Sequence, residues 1–167
     1  MLLPPRSAAR LLALDTGTNC GWAVNLSDQI VSNCAKLATN PRGKRWRDLR
    51  SLLDSLATRF GPFDAVFYER SEFIGGGNQA LAILDRGGCY AVLEAWAWSR
   101  DIPLRFGRTN QVKKALTGSG RAEKADMIAH ASQVAGRTIA NHNEADSIGV
   151  LVFGLDAWRA ECATSAA

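Results

Sequence analysis

Two short apolar runs that each stop at a carboxylate constrain this chain more than any other feature. Leu11-Leu12-Ala13-Leu14 stops at Asp15, and Ala65-Val66-Phe67-Tyr68 stops at Glu69. Unbroken apolar runs of this kind read as strands covered on both faces, as in the interior of an α/β sheet. The ends of such strands are where sites form. A third acid, Asp146, falls in the first turn of an apolar helix carrying Ile148, Leu151, Val152 and Leu155. Burying an ionised carboxylate without a partner costs several kcal/mol. Three such acids brought together repel one another unless a cation lies among them.

The pattern around these runs predicts the remaining elements. Gly21-Trp22-Ala23-Val24 reads as a second strand and residues 30–37 as a third, together a meander with the first. A helix is expected over about 44–60, with Trp46, Leu49, Leu53, Leu56 and Phe60 at helical spacing and Gly61-Pro62 as its stop. A long helix over about 79–99 carries the stripe Leu81, Leu84, Val92 and Trp96, with Gly87-Gly88 allowing close packing. A short strand covers Pro103-Leu104-Arg105-Phe106. Helices follow at about 109–117 and 121–135, split by Thr117-Gly118-Ser119-Gly120, and the last begins near Asn143 with Asn143 as its N-cap. These elements predict an α/β fold whose mixed five-stranded sheet is flanked by helices. The expected organisation is one domain over 11–160, between a flexible leader at 1–10 and a tail at 161–167.

Composition removes several classes. The chain has 167 residues and is 47% hydrophobic, enough for a real core, and its 22% charged content does not suit a disordered polar tail. No apolar run approaches the roughly 18 residues of a membrane helix, and the stretch after Arg10 is too short for a signal-peptide core. A cytoplasmic location and no membrane partner are expected. Cys20, Cys34, Cys89 and Cys162 are far apart and read as reduced, mostly buried thiols, and the five tryptophans read as packing. The net charge of +4 permits a polyanionic partner without requiring one.

The acids suggest chemistry through their number and kind. Oxygen-only ligands suit a hard cation such as Mg²⁺ or Mn²⁺. Two such ions among Asp15, Glu69 and Asp146 would activate a water and stabilise a leaving oxygen in phosphodiester hydrolysis. Each acid also has an ordinary role open to it. Asp15 suits a turn, Glu69 a surface pair with Arg70, and Asp146 the positive end of a helix dipole. His142, Asn143 and Glu144 stand just before Asp146. Asn143 shares its helix face and Glu144 does not. Any of the three is a further candidate ligand or water-positioning group.

The positive charge is clustered. Residues 42–50 hold Arg42, Lys44, Arg45, Arg47 and Arg50, which read as a solvated helix face. Residues 105–124 hold Arg105, Arg108, Lys113, Lys114, Arg121 and Lys124, suited to phosphate contacts. Here Gly118 and Gly120 would offer backbone amides to a phosphate at a helix start. The loop 73–78 carries Phe73 ahead of three glycines, and Phe73 is a candidate to stack on an unpaired base.

Four of these segments resemble the motifs of RuvC-type Holliday junction resolvases, in the ribonuclease H-like superfamily, over about residues 11–155. They are Leu12 through Ala23 around Asp15, Phe67-Tyr68-Glu69, Gln111 through Lys124, and Asn143 through Leu151 around Asp146. The third is the most specific. The first also resembles the phosphate loop of sugar kinases and actin-like ATPases, which need a far longer, two-lobed chain. The resemblance implies a ribonuclease H-like fold and a homodimeric, metal-dependent endonuclease cutting four-way DNA junctions. Asp15, Glu69 and Asp146 would hold two Mg²⁺, or Mn²⁺ in their place, and Lys113 and Lys124 would bind DNA. Helix 79–99 is the candidate dimer contact. One position departs from the pattern, since Asn143 stands where the family has an aspartate or a histidine. That departure and the short length resemble bacteriophage or prophage variants. Two rival readings are a junction-binding protein that does not cut, and a related nuclease acting on flaps or RNA.

Overall fold

The computed structural model describes residues 9–27, 29–71 and 79–165. Ten elements run in the order β1 (Leu11–Asp15), β2 (Asn19–Leu26), β3 (Gln29–Lys36), α1 (Arg42–Phe60), β4 (Ala65–Arg70), α2 (Gln79–Trp98), β5 (Leu104–Arg108), α3 (Thr109–Thr117), α4 (Lys124–Ala135) and α5 (His142–Ser165). The strands form one mixed sheet in the order β3-β2-β1-β4-β5. The first three make an antiparallel meander, and β1, β4 and β5 run parallel. This is the five-stranded, helix-flanked arrangement expected.

The unbroken apolar character of β1 and β4 follows from their central place. Successive side chains on a strand point to opposite faces. Leu12, Leu14, Val66 and Tyr68 pack with Leu49 and Leu53 of α1 and Leu93 and Trp96 of α2. Leu11, Ala13, Ala65 and Phe67 pack on the other face with Val112 of α3, Met127 of α4 and Ile148 and Leu151 of α5. Both faces are therefore core, and a polar residue fits only where the strands run out. That is where Asp15 and Glu69 stand.

Several expectations change on contact with the packing. Leu81 and Leu84 are 49% and 59% exposed, because the part of α2 buried in the core runs from Cys89 to Ala97. Gly88 is the glycine that permits the α1–α2 approach, since a β-carbon there would overlap the Trp46 ring, whereas Gly87 faces open space. Trp98 is 86% exposed and packs against nothing of consequence to the core. The basic stretch in α1 is not wholly a solvated face. Arg45 is buried, donating to the carbonyls of Ala38 (2.9 Å) and Thr39 (2.6 Å) and pairing with Asp85 (3.1 Å). It thereby fastens the β3–α1 connection to α2.

The chain ends differ too. Arg10 is tied down by a 2.7 Å hydrogen bond from its amide to Asp64 and by its guanidinium on the Phe60 carbonyl, so the expected leader is already ordered there. The last helix continues through residues 161–165, where a tail was expected. Cys20 and Cys89 are buried, while Cys34 and Cys162 are half-buried, and all four are free thiols. No described helix is long and apolar enough to cross a membrane.

Candidate active site

The register of the parallel strands builds the site. Leu14 pairs with Tyr68, so the next residues, Asp15 and Glu69, end neighbouring strands side by side. Adjacent strands lie about 4.8 Å apart. Alternation puts both acids on the face that carries Leu11, Ala13 and Phe67, the face covered by α5. The start of α5 reaches them because β2 yields space. Gly21 pairs with Asp15, and a β-carbon on Gly21 would overlap the Asn143 carbonyl. Only a glycine lets the first turn of α5 settle over this end of the sheet, bringing Asp146 with it.

The electrostatics record the convergence. Burial, followed by the charges of Glu69 and Asp146, pushes the Asp15 carboxyl up from 3.8 to about 8, with Arg86 pulling the other way. Burial and then Glu69 push Asp146 up to about 6, opposed by His142, Lys113 and Lys124. Three carboxylates share one end of the sheet with too little positive charge. Among the described residues, no three His, Cys, Asp or Glu side chains are already drawn into a tight metal-ligating cluster.

Glu69 is held by a residue that the sequence did not single out. Thr109, the first residue of α3, donates a 2.6 Å hydrogen bond to its Oε1. The pairing of Glu69 with Gly107 and Arg70 with Arg108 brings α3 to this point directly off β5.

The three residues ahead of Asp146 separate in role. Asn141, not Asn143, caps α5, its Oδ1 accepting from the Asn143 amide at 2.9 Å. Asn143 is half-buried and turns its side-chain nitrogen back to the same oxygen at 3.3 Å. His142 is exposed and near enough to favour the ionised Asp146. Glu144 points away from the acids. It is buried, accepts from Ser32 at 2.9 Å and pairs with Arg137 at 2.5 Å, joining β3 to the α4–α5 connection.

The basic segment forms a helical hairpin beside the acids. Lys113 reaches from α3 to the Ala122 carbonyl at 2.7 Å, and both Lys113 and Lys124 bear on Asp146. Lys114, Arg121 and Lys124 are exposed. The glycine turn is built differently from the expected phosphate cradle. Gly118 ends α3 in the left-handed conformation at φ 80°, with its amide on the Lys114 carbonyl. The Ser119 and Arg121 amides bond to Thr117 Oγ1 and Ser119 Oγ. Gly120 fits close under the Asn110 carbonyl. Helix α4 begins at Lys124, and Asp126 in its first turn accepts from the Glu123 amide at 3.1 Å, so its N-terminus already carries an anion. Phe73 and the glycines after it lie outside the described residues.

No protein-family model matches the chain. It is 29% identical over 126 residues to a crossover junction endodeoxyribonuclease RuvC of Mycolicibacterium vanbaalenii, covering 71% of this chain and 63% of that one. It is 31% identical over 153 residues to the RuvC of Anaeromyxobacter sp., covering 86% of this chain and 71% of the relative. Among solved structures, Thermus thermophilus RuvC in complex with a Holliday junction substrate superposes with a TM-score of 0.77 at 20% identity, covering 92% of this chain and 97% of that one. The shared fold is the ribonuclease H-like fold. With strand-end acids, an α5 acid and a basic hairpin on that fold, and with identity above 30% over most of both chains, this protein belongs to the RuvC family of crossover junction endodeoxyribonucleases.

Proposed function

We propose that this chain is a metal-dependent endonuclease that resolves four-way DNA junctions by hydrolysing phosphodiester bonds. The observation that carries the reading is the register of β1 against β4, which sets Asp15 beside Glu69 beneath the start of α5. The donor set fits a hard divalent cation, since its three acids are carboxylates and Asp15 and Asp146 are short of positive charge. Asp15, Glu69 and Asp146 would hold two Mg²⁺, or Mn²⁺ in their place, with His142 or Asn143 as the further contact. Bound there, the ions supply charge neutralisation, activation of the attacking water and stabilisation of the leaving oxygen.

The chain's own residues do the rest. Thr109 fixes one oxygen of Glu69 and leaves the other available for a metal. Lys113 and Lys124 hold the substrate backbone beside Asp146, and Lys114 and Arg121 extend that contact along the hairpin. The amides of Gly118 and Ser119 are committed within the turn, so Gly118 and Gly120 serve by shaping it. Phe73 remains the candidate for stacking on an unpaired base. Exposed Leu81, Ile83 and Leu84 on α2 support a homodimer, which would cut two strands symmetrically. A DNA substrate and four free thiols suit the cytoplasm.

The test is cleavage of a synthetic four-way junction beside duplex and flap controls, in Mg²⁺ and in EDTA. Paired nicks in the junction, lost in EDTA, are expected. Tight junction binding without nicking in Mg²⁺ or Mn²⁺ would favour a binding protein. Equal action on flaps or RNA would favour a nuclease with another target.

A further inference from the structure

A cleft of about 280 Å³ opens between the β1–β2 turn and α2, on the far side of Asp15 from Lys113 and Lys124. Thr16, Gly17 and Thr18 line one wall, and Asp85, Arg86 and Arg45 line the other. Its charges are unequal in availability. Asp85 is neutralised by Arg42 at 2.5 Å and Arg45 at 3.1 Å. Arg45 is spent on that pair and on the Ala38 and Thr39 carbonyls. Arg86 is exposed and its guanidinium makes no ion pair or hydrogen bond among the described residues, while its charge acts at longer range on Asp15. The internal bonding of this region is also incomplete. Among the described residues, Thr16 Oγ1, on the cleft wall, is one of two buried side-chain polar atoms without a partner; the other, Trp46 Nε1, lies outside the cleft against Gly88. Buried polar groups are otherwise almost always paired.

We propose that this cleft is a second phosphate site, in which Arg86 binds the DNA backbone next to the bond being cut, on the Asp15 side. The inference rests on the nuclease reading above and adds a contact to it. A planar guanidinium suits a phosphate through paired N–H donors. With Lys113 and Lys124 on the Asp146 side, cationic groups flank the acids on both sides. A strand crossing them is then held at both ends, with its scissile phosphate set over the carboxylates.

The experiment compares wild type, Arg86→Gln and Arg86→Lys on four-way junctions in which each phosphate around the cut is replaced in turn by an uncharged methylphosphonate. Arg86 is exposed, so all three should melt at the same temperature. Arg86→Gln should bind the unmodified junction about tenfold more weakly, with a salt slope lower by about one. One methylphosphonate position that weakens wild-type binding should have no further effect on Arg86→Gln, while positions read by Lys113 and Lys124 keep their penalty. Arg86→Lys should recover part of the loss. A wild type that binds and cuts while Arg86→Gln matches it at every position and every salt concentration would overturn this site alone. A wild type that neither binds nor cuts junctions would overturn the nuclease reading and this site with it.

Discussion

Thr109 Oγ1 donates to Glu69 Oε1 at 2.6 Å, so the first residue of the basic hairpin is bonded to the acid at the end of β4. The contact couples the element that would hold DNA to the element that would hold metal. A hydrogen bond to a charged group contributes about 1.5–3 kcal/mol, which corresponds to roughly 10- to 100-fold in rate if it is realised in the transition state. Thr109→Val keeps the shape and removes the donor. It should lower single-turnover cleavage by about that factor and leave junction affinity near wild type, whereas Thr109→Ser should cleave normally. A Thr109→Val enzyme at full rate would show that Glu69 is oriented without it.

Gly21 sets the height of α5 over the sheet. A methyl group there meets the Asn143 carbonyl and the Ser147 side chain, and neither is a flexible chain end that can move aside. Gly21→Ala should therefore lift the first turn of α5. Overpacking of this kind costs about 1–3 kcal/mol. Chemical denaturation should show that loss, and the concentration of Mg²⁺ needed for half-maximal cleavage should rise, because Asp146 moves with the turn. A destabilised variant with an unchanged Mg²⁺ requirement would separate Gly21 from the placement of Asp146.

Much of this architecture was legible from local patterns. The runs ending at Asp15 and Glu69 named two central strands, because only a strand buried on both faces is apolar at every position. The end of helix 109–117 was legible because Gly118 closes it. What escaped depends on distant partners or on which face is covered. Thr109 and Glu69 are 40 residues apart, and Ser32 and Glu144 are 112 apart. Leu81 and Leu84 carry a helical stripe that reads as core, yet nothing among the described residues covers it, and sequence spacing cannot tell a core from an interface. Asn141 and Asn143 are equally good caps by type, and the start of α5 at His142 decides between them. The glycines at 118 and 120 mark a tight turn in any reading, and only the bonding of the turn shows that the Gly118, Ser119 and Arg121 amides are already used.

Lys113 and Lys124 stand together beside Asp146, one on each helix of the hairpin. Lys113 is also bonded to the Ala122 carbonyl, so it braces the hairpin as well as charging it. Replacing both with Ala should weaken junction binding and lower the salt slope by about two. Lys124→Ala alone should lower the slope by about one and leave the melting temperature unchanged, since Lys124 is exposed. Lys113→Ala should in addition lower the melting temperature. Equal thermal effects of the two would remove the bracing role, and an unchanged slope would remove the DNA contact.

Asp15 makes the stability of the metal-free protein depend on pH. Its carboxyl ordinarily titrates at 3.8 and in the fold at about 8, with burial as the main cause. Between these values the folded chain holds a proton that the unfolded chain has released, so stability is greatest below about pH 4 on this account and is lost as pH rises toward 8. Asp146 adds the same trend, ending near pH 6. A divalent cation binds the ionised carboxylates and so reverses the loss where it is largest. Mg²⁺ should therefore raise the melting temperature clearly at about pH 8 and hardly at all at about pH 5, where both acids keep their protons. Asp15→Asn should melt higher than metal-free wild type at about pH 8, lose most of the response to Mg²⁺, bind junctions as before and fail to cut them. Thermal melts across pH with and without Mg²⁺, run beside junction cleavage, decide the matter. Full cleavage by Asp15→Asn in Mg²⁺ would sink the assignment of this carboxylate to the metal.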